Sequence, residues 1–174
     1  KPPEDFGLPD SPLDRNKLMA LLKADDPDDR AFAAEKLKSF AQEPDVVSAL
    51  IETLNDEEVV DDYEPPCIYA LRSLTYSGKF AEPAKDKAIA WLKSEYEAGK
   101  KAWEQNRNSE TNGIVFGAET FYDVADIARL IGVIGEPAAD ARPLLVEYER
   151  FLTIRDVYGE DTRVEAIRDA LDRI

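Results

Sequence analysis

The stretch Ile134-Gly135-Glu136-Pro137 places a helix end directly beside a helix start, and it constrains the fold more than any other sequence feature. Gly135 can adopt a positive φ and close a helix C-terminus. Pro137 fits the first turn of a following helix, where its missing N–H leaves no intrahelical hydrogen bond unmade. Apolar residues continue up to this joint on both sides, so the two helices that meet here must pack closely.

The same arrangement recurs along the chain. Apolar residues at helical spacing fill eight segments, and breaks rich in Pro, Gly and Asp separate these segments. We therefore predict an all-α fold, an α-solenoid of about four antiparallel helical hairpins. The repeat domain would span residues 12–174, and the Pro-rich, acidic residues 1–11 would form an N-terminal tail or linker.

The predicted breaks are of two kinds, and their lengths indicate how the hairpins stack. Joints between hairpins are short, whereas turns within hairpins vary in length, which is typical of a solenoid whose insertions gather on one edge. The short joints are residues 42–43, 78–82 and 135–136. The variable turns are residues 25–26, 55–64, 107–117 and 153–161.

The fifth predicted helix, from about Pro83 to Asn106, carries the two tryptophans of the chain. Tyr96 and Trp103 fall on its apolar stripe, and Trp91 lies on an edge that suits contact with a neighbouring repeat. This helix also contains the most basic stretch of the chain, so an aromatic and basic nucleic-acid face is the alternative interpretation. The helical spacing of the aromatic residues favours packing.

Composition narrows the classes of function. The net charge of −15, from 37 acidic and 22 basic residues, disfavours nucleic-acid and anionic membrane partners. No apolar run approaches the roughly 18 residues of a membrane span. The sequence has no His and a single Cys67, which removes the usual triads, an intrachain disulfide and a thiolate metal cluster. We expect Cys67 to be a small buried residue, and we predict no cofactor and no catalytic or metal site.

Two segments share a pattern of an Asp-rich turn, an Arg and an Ala-containing helix. They are Asp26-Pro27-Asp28-Asp29-Arg30, followed by Ala33-Ala34 and Leu37, and Asp161-Thr162-Arg163-Val164-Glu165-Ala166-Ile167. The pattern resembles HEAT repeats, in particular the short HEAT-like repeats of the phycobilin-lyase type, over roughly residues 12–174. The middle two repeats depart from it, because Cys67 and Asp123 stand near the place of the Arg. The resemblance implies a superhelix with a binding role and does not imply a chemistry.

Acidic residues at the turns within hairpins form the first candidate surface. In a regular stack these turns share one edge, where they would bind a basic partner or a cation; helix capping and solvation are the alternative explanation. A calcium loop is disfavoured because the alternating ligand pattern is missing. The partner-binding candidates here are Asp56, Glu57, Glu58, Asp61, Asp62 and Tyr63, and the wider edge includes Asp25, Asp26, Asp28, Asp29, Glu64, Asp156, Glu160 and Asp161.

Two further surfaces are candidates for partner binding. The apolar part of the 107–117 loop, with Phe116, forms either a contact patch or a cover over the core. The second helices of the hairpins would line a concave face if the family pattern holds. Partner-binding candidates on that face, off the apolar stripes, are Tyr69, Arg72, Tyr122, Asp126 and Arg129.

These features together predict a non-catalytic protein-interaction scaffold or adaptor. Its partner would be a protein, and a basic one if the acidic edge binds. A phycobilin lyase-like chromophore-handling protein is the alternative, and a nucleic-acid-binding HEAT protein is disfavoured by charge. A cytoplasmic location is slightly favoured, but the sequence does not begin with Met and is compatible with removal of a signal peptide, so a processed secreted or periplasmic protein stays open. The sequence leaves the oligomeric state open.

Overall fold

The computed structural model describes residues 14–58, 64–106, 123–153 and 162–174, and the predicted tail at residues 1–11 lies outside these ranges. Every regular element within them is helical, which confirms the predicted all-α class. Eight α-helices are described, together with 3-10 turns at Leu37–Phe40, Gly78–Ala84 and Glu136–Ala141. The helices are α1 (Arg15–Leu21), α2 (Pro27–Lys36), α3 (Pro44–Thr53), α4 (Pro66–Leu74), α5 (Lys85–Asn106), α6 (Val124–Ile134), α7 (Arg142–Thr153) and α8 (Thr162–Arg173).

Aspartates cap three of these helices. The side chains of Asp14, Asp26 and Asp123 each accept a hydrogen bond from the backbone N–H two residues later, at 2.8–2.9 Å. Each cap accepts from a backbone N–H of the first turn that has no acceptor within the helix. This hydrogen bond stabilises the helix by about 1 kcal/mol. Helix α1 begins at Arg15, because Asp14, with its extended backbone, supplies the cap.

The predicted joint after α6 is present. Gly135 has φ 75° and ends the helix, and its N–H donates to the carbonyl of Ile131. The polypeptide then makes the 3-10 turns of Glu136–Ala141 before α7, so α7 begins five residues later than Pro137. Helix α5 likewise begins at Lys85 after the 3-10 segment that contains Pro83. Proline fits these tight turns, and regular helix starts only beyond them.

Consecutive helices pack as four pairs, α1 with α2, α3 with α4, α5 with α6, and α7 with α8. The second helices of successive pairs also contact each other, α2 with α4, α4 with α6, and α6 with α8. The contact of α6 with α8 is close: a Cβ on Gly132 would lie 2.9 Å from the Cα of Ala170. One hydrophobic core contains residues from all eight described helices, so the four pairs form one packed body.

The aromatic residues of α5 divide between the core and the surface. Tyr96 packs beside Tyr148 and Phe151, with ring centroids 5.3 and 5.6 Å away. Trp91 is buried, with the Lys87 ammonium 4.9 Å from its ring centroid. The prediction that Trp103 is a core residue is wrong, because it is 38% exposed. It lies in the last turn of α5, where the buried stripe has already ended.

Candidate partner-binding surface

The Arg30 side chain of α2 joins three parts of the protein. Its Nε and Nη2 donate to the Asp56 carboxylate at 2.6 and 3.2 Å, and Nη2 also donates to Glu58 at 2.6 Å. Its Nη1 donates to the carbonyls of Ala24 and Asp25, both at 2.9 Å. A guanidinium has five N–H donors, so Arg30 has a partner for each.

This saturated network fixes the start of the 55–64 turn. Hydrogen bonding to Asp56 raises the pKa of Arg30, burial opposes that rise, and Glu58 adds to it. The Asp56 carbonyl also accepts from the N–H of Cys67 at 3.0 Å, which ties the turn to the start of α4. Two of the acids predicted to face a partner, Asp56 and Glu58, therefore share the single positive charge of Arg30.

A second ionic cluster joins α4 to α6. The Asp126 carboxylate is buried, with its side chain 9% exposed, and lies between two guanidinium groups. It accepts from Arg72 Nε at 2.7 Å and from Arg129 Nη1 at 2.8 Å. The outer nitrogens of Arg72 bind both oxygens of the exposed Glu64, with Nη2 2.9 Å from Oε1. Burial lowers the pKa of Arg72, but its bonds to Glu64 and Asp126 outweigh burial and raise it.

The structure thus brings together three of the predicted concave-face residues, Arg72, Asp126 and Arg129. They differ in exposure: the Arg72 and Arg129 side chains are 40% and 52% exposed, whereas Asp126 is buried. Tyr69 is partly buried and packs against the core one helical turn before Arg72. Asp126 therefore organises this cluster, and the arginines are its accessible members.

The remaining candidates fall into two groups. Glu57 is exposed on the 55–64 turn. Outside the described residues lie the predicted candidates Asp61, Asp62, Tyr63, Phe116 and Tyr122, and the edge acids Asp156, Glu160 and Asp161.

Within the described ranges, four groups of ion pairs link successive helix pairs, and these four run in one direction. In each of these, the cation belongs to the earlier pair and the carboxylate to the later one. The partly buried Arg15 also follows this rule, and hydrogen bonding to it lowers the pKa of Asp45. The pairs are Arg15 with Glu43 and Asp45, Arg30 with Asp56 and Glu58, Arg72 with Asp126, and Lys85 with Asp140.

The sequence did not identify Glu64 as the ion-pair partner of Arg72. It also did not identify Arg30 as the ion-pair partner of the acidic 55–64 turn. A sequence signal existed for Arg30, because it stands in the Asp-Pro-Asp-Asp-Arg motif. No sequence signal marked Glu64, since its partner lies eight positions later, beyond the i+4 spacing at which helical side chains meet.

The described residues carry no cluster of three or more acidic or cysteine side chains able to hold a metal ion. Nor is any helix in those ranges long and apolar enough to cross a membrane. Cys67 is buried, as predicted.

No protein-family model, curated protein or solved structure matches this sequence.

Proposed function

We propose that this protein is a non-catalytic protein-interaction scaffold, built as a HEAT-like α-solenoid of four helical hairpins. The order of packing supports the solenoid: second helices contact second helices along the sequence, and paired charges link each helix pair to the next. In such a stack each unit contacts its neighbours, and the free face of the second helices offers an extended binding surface.

The pairing of Arg72 and Arg129 around Asp126 is the observation that carries this proposal. Two half-exposed guanidinium groups come from successive second helices and meet at one buried carboxylate. Arginine is enriched at protein interfaces, where its planar group makes several directed hydrogen bonds. The exposed Tyr76 lies in the turn that follows α4, two residues after Leu74, and tyrosine is likewise enriched at binding surfaces.

The acidic edge is the less favoured surface. A basic partner would have to compete with Arg30 for Asp56 and Glu58, and with Arg72 for Glu64. These internal pairs reduce the charge that the turn presents to a partner. The second-helix face around Arg72 and Arg129 therefore receives the partner in this proposal.

Site-specific photo-crosslinking tests the proposed function. A photoreactive phenylalanine analogue would replace Tyr76, which follows α4, or Val133, one helical turn after Arg129 on α6, with Lys93 on α5 as the exposed control. We expect one and the same partner protein from source-cell extract to crosslink at Tyr76 and Val133 and not at Lys93. Equal yields at all three positions, or no crosslinked protein at any of them, would reject a scaffold that binds through this face.

A further inference from the structure

We infer that Arg72 and Arg129 form a carboxylate-binding site for an acidic group of a protein partner, and that Glu64 occupies this site when no partner is bound. This inference rests on the proposed scaffold function and names the chemistry of the partner at the second-helix face. The geometry and charge of the cluster carry it.

The two sides of the Arg72 guanidinium have different partners. Nε faces the buried Asp126 at 2.7 Å, and this bond holds the side chain in place. The two outer nitrogens face Glu64, whose side chain is 45% exposed. A bidentate contact of this type is what an arginine makes with any incoming carboxylate. The Glu64 contact therefore shows that the outer side of Arg72 accepts a carboxylate from the solvent side.

Arg129 supplies further donors beside this contact. Its Nη1 donates to Asp126 Oδ1 at 2.8 Å, and its remaining N–H groups have no partner among the described residues. Arg72 and Arg129 bind the two oxygens of the same carboxylate, so both guanidinium groups lie within hydrogen-bond distance of Asp126.

The charges of the cluster make Glu64 the exchangeable member. Arg72 and Arg129 carry two positive charges and Asp126 one negative charge, which leaves one positive charge for a ligand to neutralise. Removing the buried Asp126 would take away the carboxylate that both arginines share, whereas the exposed Glu64 gains little from its ion pair and is readily replaced. A partner carboxylate can displace Glu64 without disturbing the core.

A carboxylate fits the site better than a phosphate does. The net charge of −15 repels anions, and a dianionic phosphate feels that repulsion about twice as strongly as a monoanionic carboxylate. The bidentate Glu64 contact already demonstrates the carboxylate geometry. The carboxylate can come from an acidic side chain or from the C-terminal end of a polypeptide, and two separate peptide probes distinguish these sources.

The test follows the arginine Nε–H resonances by NMR during titration with small probes. One probe is a capped di-glutamate peptide that carries side-chain carboxylates, and another is an N-terminally capped di-glycine peptide whose terminal carboxylate is free. Inorganic phosphate and a capped di-lysine peptide complete the set. We expect saturable shifts of Arg72 and Arg129 with one or both carboxylate probes, weaker binding of phosphate, and no response to di-lysine.

Matched variants make the test specific. Glu64→Gln removes the internal competitor and should tighten carboxylate binding about three- to sixfold, the factor expected for losing an exposed ion pair. Glu149→Gln is the control, because it releases Arg168, a half-exposed arginine outside this cluster, from an ion pair of 2.7 Å. Arg129→Gln should weaken binding, and far-ultraviolet circular dichroism would verify that each variant is folded.

Several results would overturn the inference. They are the absence of saturable shifts in both the parent protein and Glu64→Gln, an equal gain from Glu149→Gln, and tighter binding of phosphate than of carboxylate. Failure of the scaffold proposal is distinguishable from these. Crosslinking of a partner at Tyr76 that is insensitive to Arg129→Gln would retain the scaffold and reject the carboxylate site. Binding of the carboxylate probes without any crosslinked partner would retain the carboxylate site and reject the scaffold.

Discussion

The Arg30 network offers the sharpest test of how this fold is held together. Replacing Arg30 with Gln removes a guanidinium whose side chain is only 12% exposed. It leaves the Asp56 carboxylate, 21% exposed, without its cation, and the Ala24 carbonyl without its donor. Glu58 and the carbonyl of Asp25 are exposed enough for water to replace the lost bonds.

The expected cost follows from these contacts. Loss of a charge-assisted, bidentate hydrogen bond contributes about 1.5–3 kcal/mol, and the unpaired carbonyl about 1 kcal/mol. Partial exposure of Asp56 lowers the first contribution toward the bottom of its range. We therefore expect Arg30→Gln to lower the free energy of unfolding by about 2–4 kcal/mol. Arg30→Lys should recover part of this, since lysine keeps the charge but lacks the planar fork.

Urea denaturation followed by circular dichroism at 222 nm measures the effect. Arg168→Gln is the control, because its side chain is 58% exposed and its loss should cost less than about 0.5 kcal/mol. A double-mutant cycle with Asp56→Asn should give a coupling of about 1–2 kcal/mol. A change below about 0.5 kcal/mol for Arg30→Gln, with no coupling to Asp56, would refute the role of Arg30 in joining the first two helix pairs.

Three further predictions concern packing, charge and reactivity. Gly132→Ala should destabilise the protein by about 1–3 kcal/mol in the same urea assay, because the new Cβ would lie 2.9 Å from the Ala170 backbone; a neutral result would contradict the close contact of α6 with α8. Because hydrogen bonding to Arg15 lowers the pKa of Asp45, the associated stability should be present above the unfolded pKa and lost as pH falls through the folded one. NMR titration should show the Asp45 midpoint returning to its ordinary value in Arg15→Gln, and an unchanged midpoint would rule out this cause. Cys67 should react with a thiol reagent in denaturant and remain protected in the native protein, whereas rapid native labelling would show that it is accessible.

The helices could be read from the sequence because their signals are local. Apolar residues at helical spacing, capping aspartates and the Gly135 joint each act within a few residues, and the structure has a helix at each predicted segment. The starts of α5 and α7 were placed too early because proline is compatible with both a first α-helical turn and a 3-10 turn. The exposure of Trp103 could not be predicted from spacing alone, since a helix can extend beyond the core against which it packs.

The polar clusters were only partly predictable, for a different reason. Spacing identified Arg72, Asp126 and Arg129 as residues off the apolar stripes, but Arg72 meets Asp126 across 54 positions. Such contacts depend on how α4 and α6 pack, which no local pattern specifies. The same holds for Arg30, whose carboxylate partners belong to the following helix pair.

The one-way direction of the ion pairs has a consequence for how such a fold can change in length. The second helix pair supplies an acceptor, Asp56, to the pair before it and a donor, Arg72, to the pair after it. A tandem duplication of this unit would create one new junction, where Arg72 of the first copy would face Ile68 of the second, because Ile68 stands three residues after the helix N-cap as Asp126 does. The fold can thus lengthen by this unit only if a carboxylate also replaces Ile68 at the new junction.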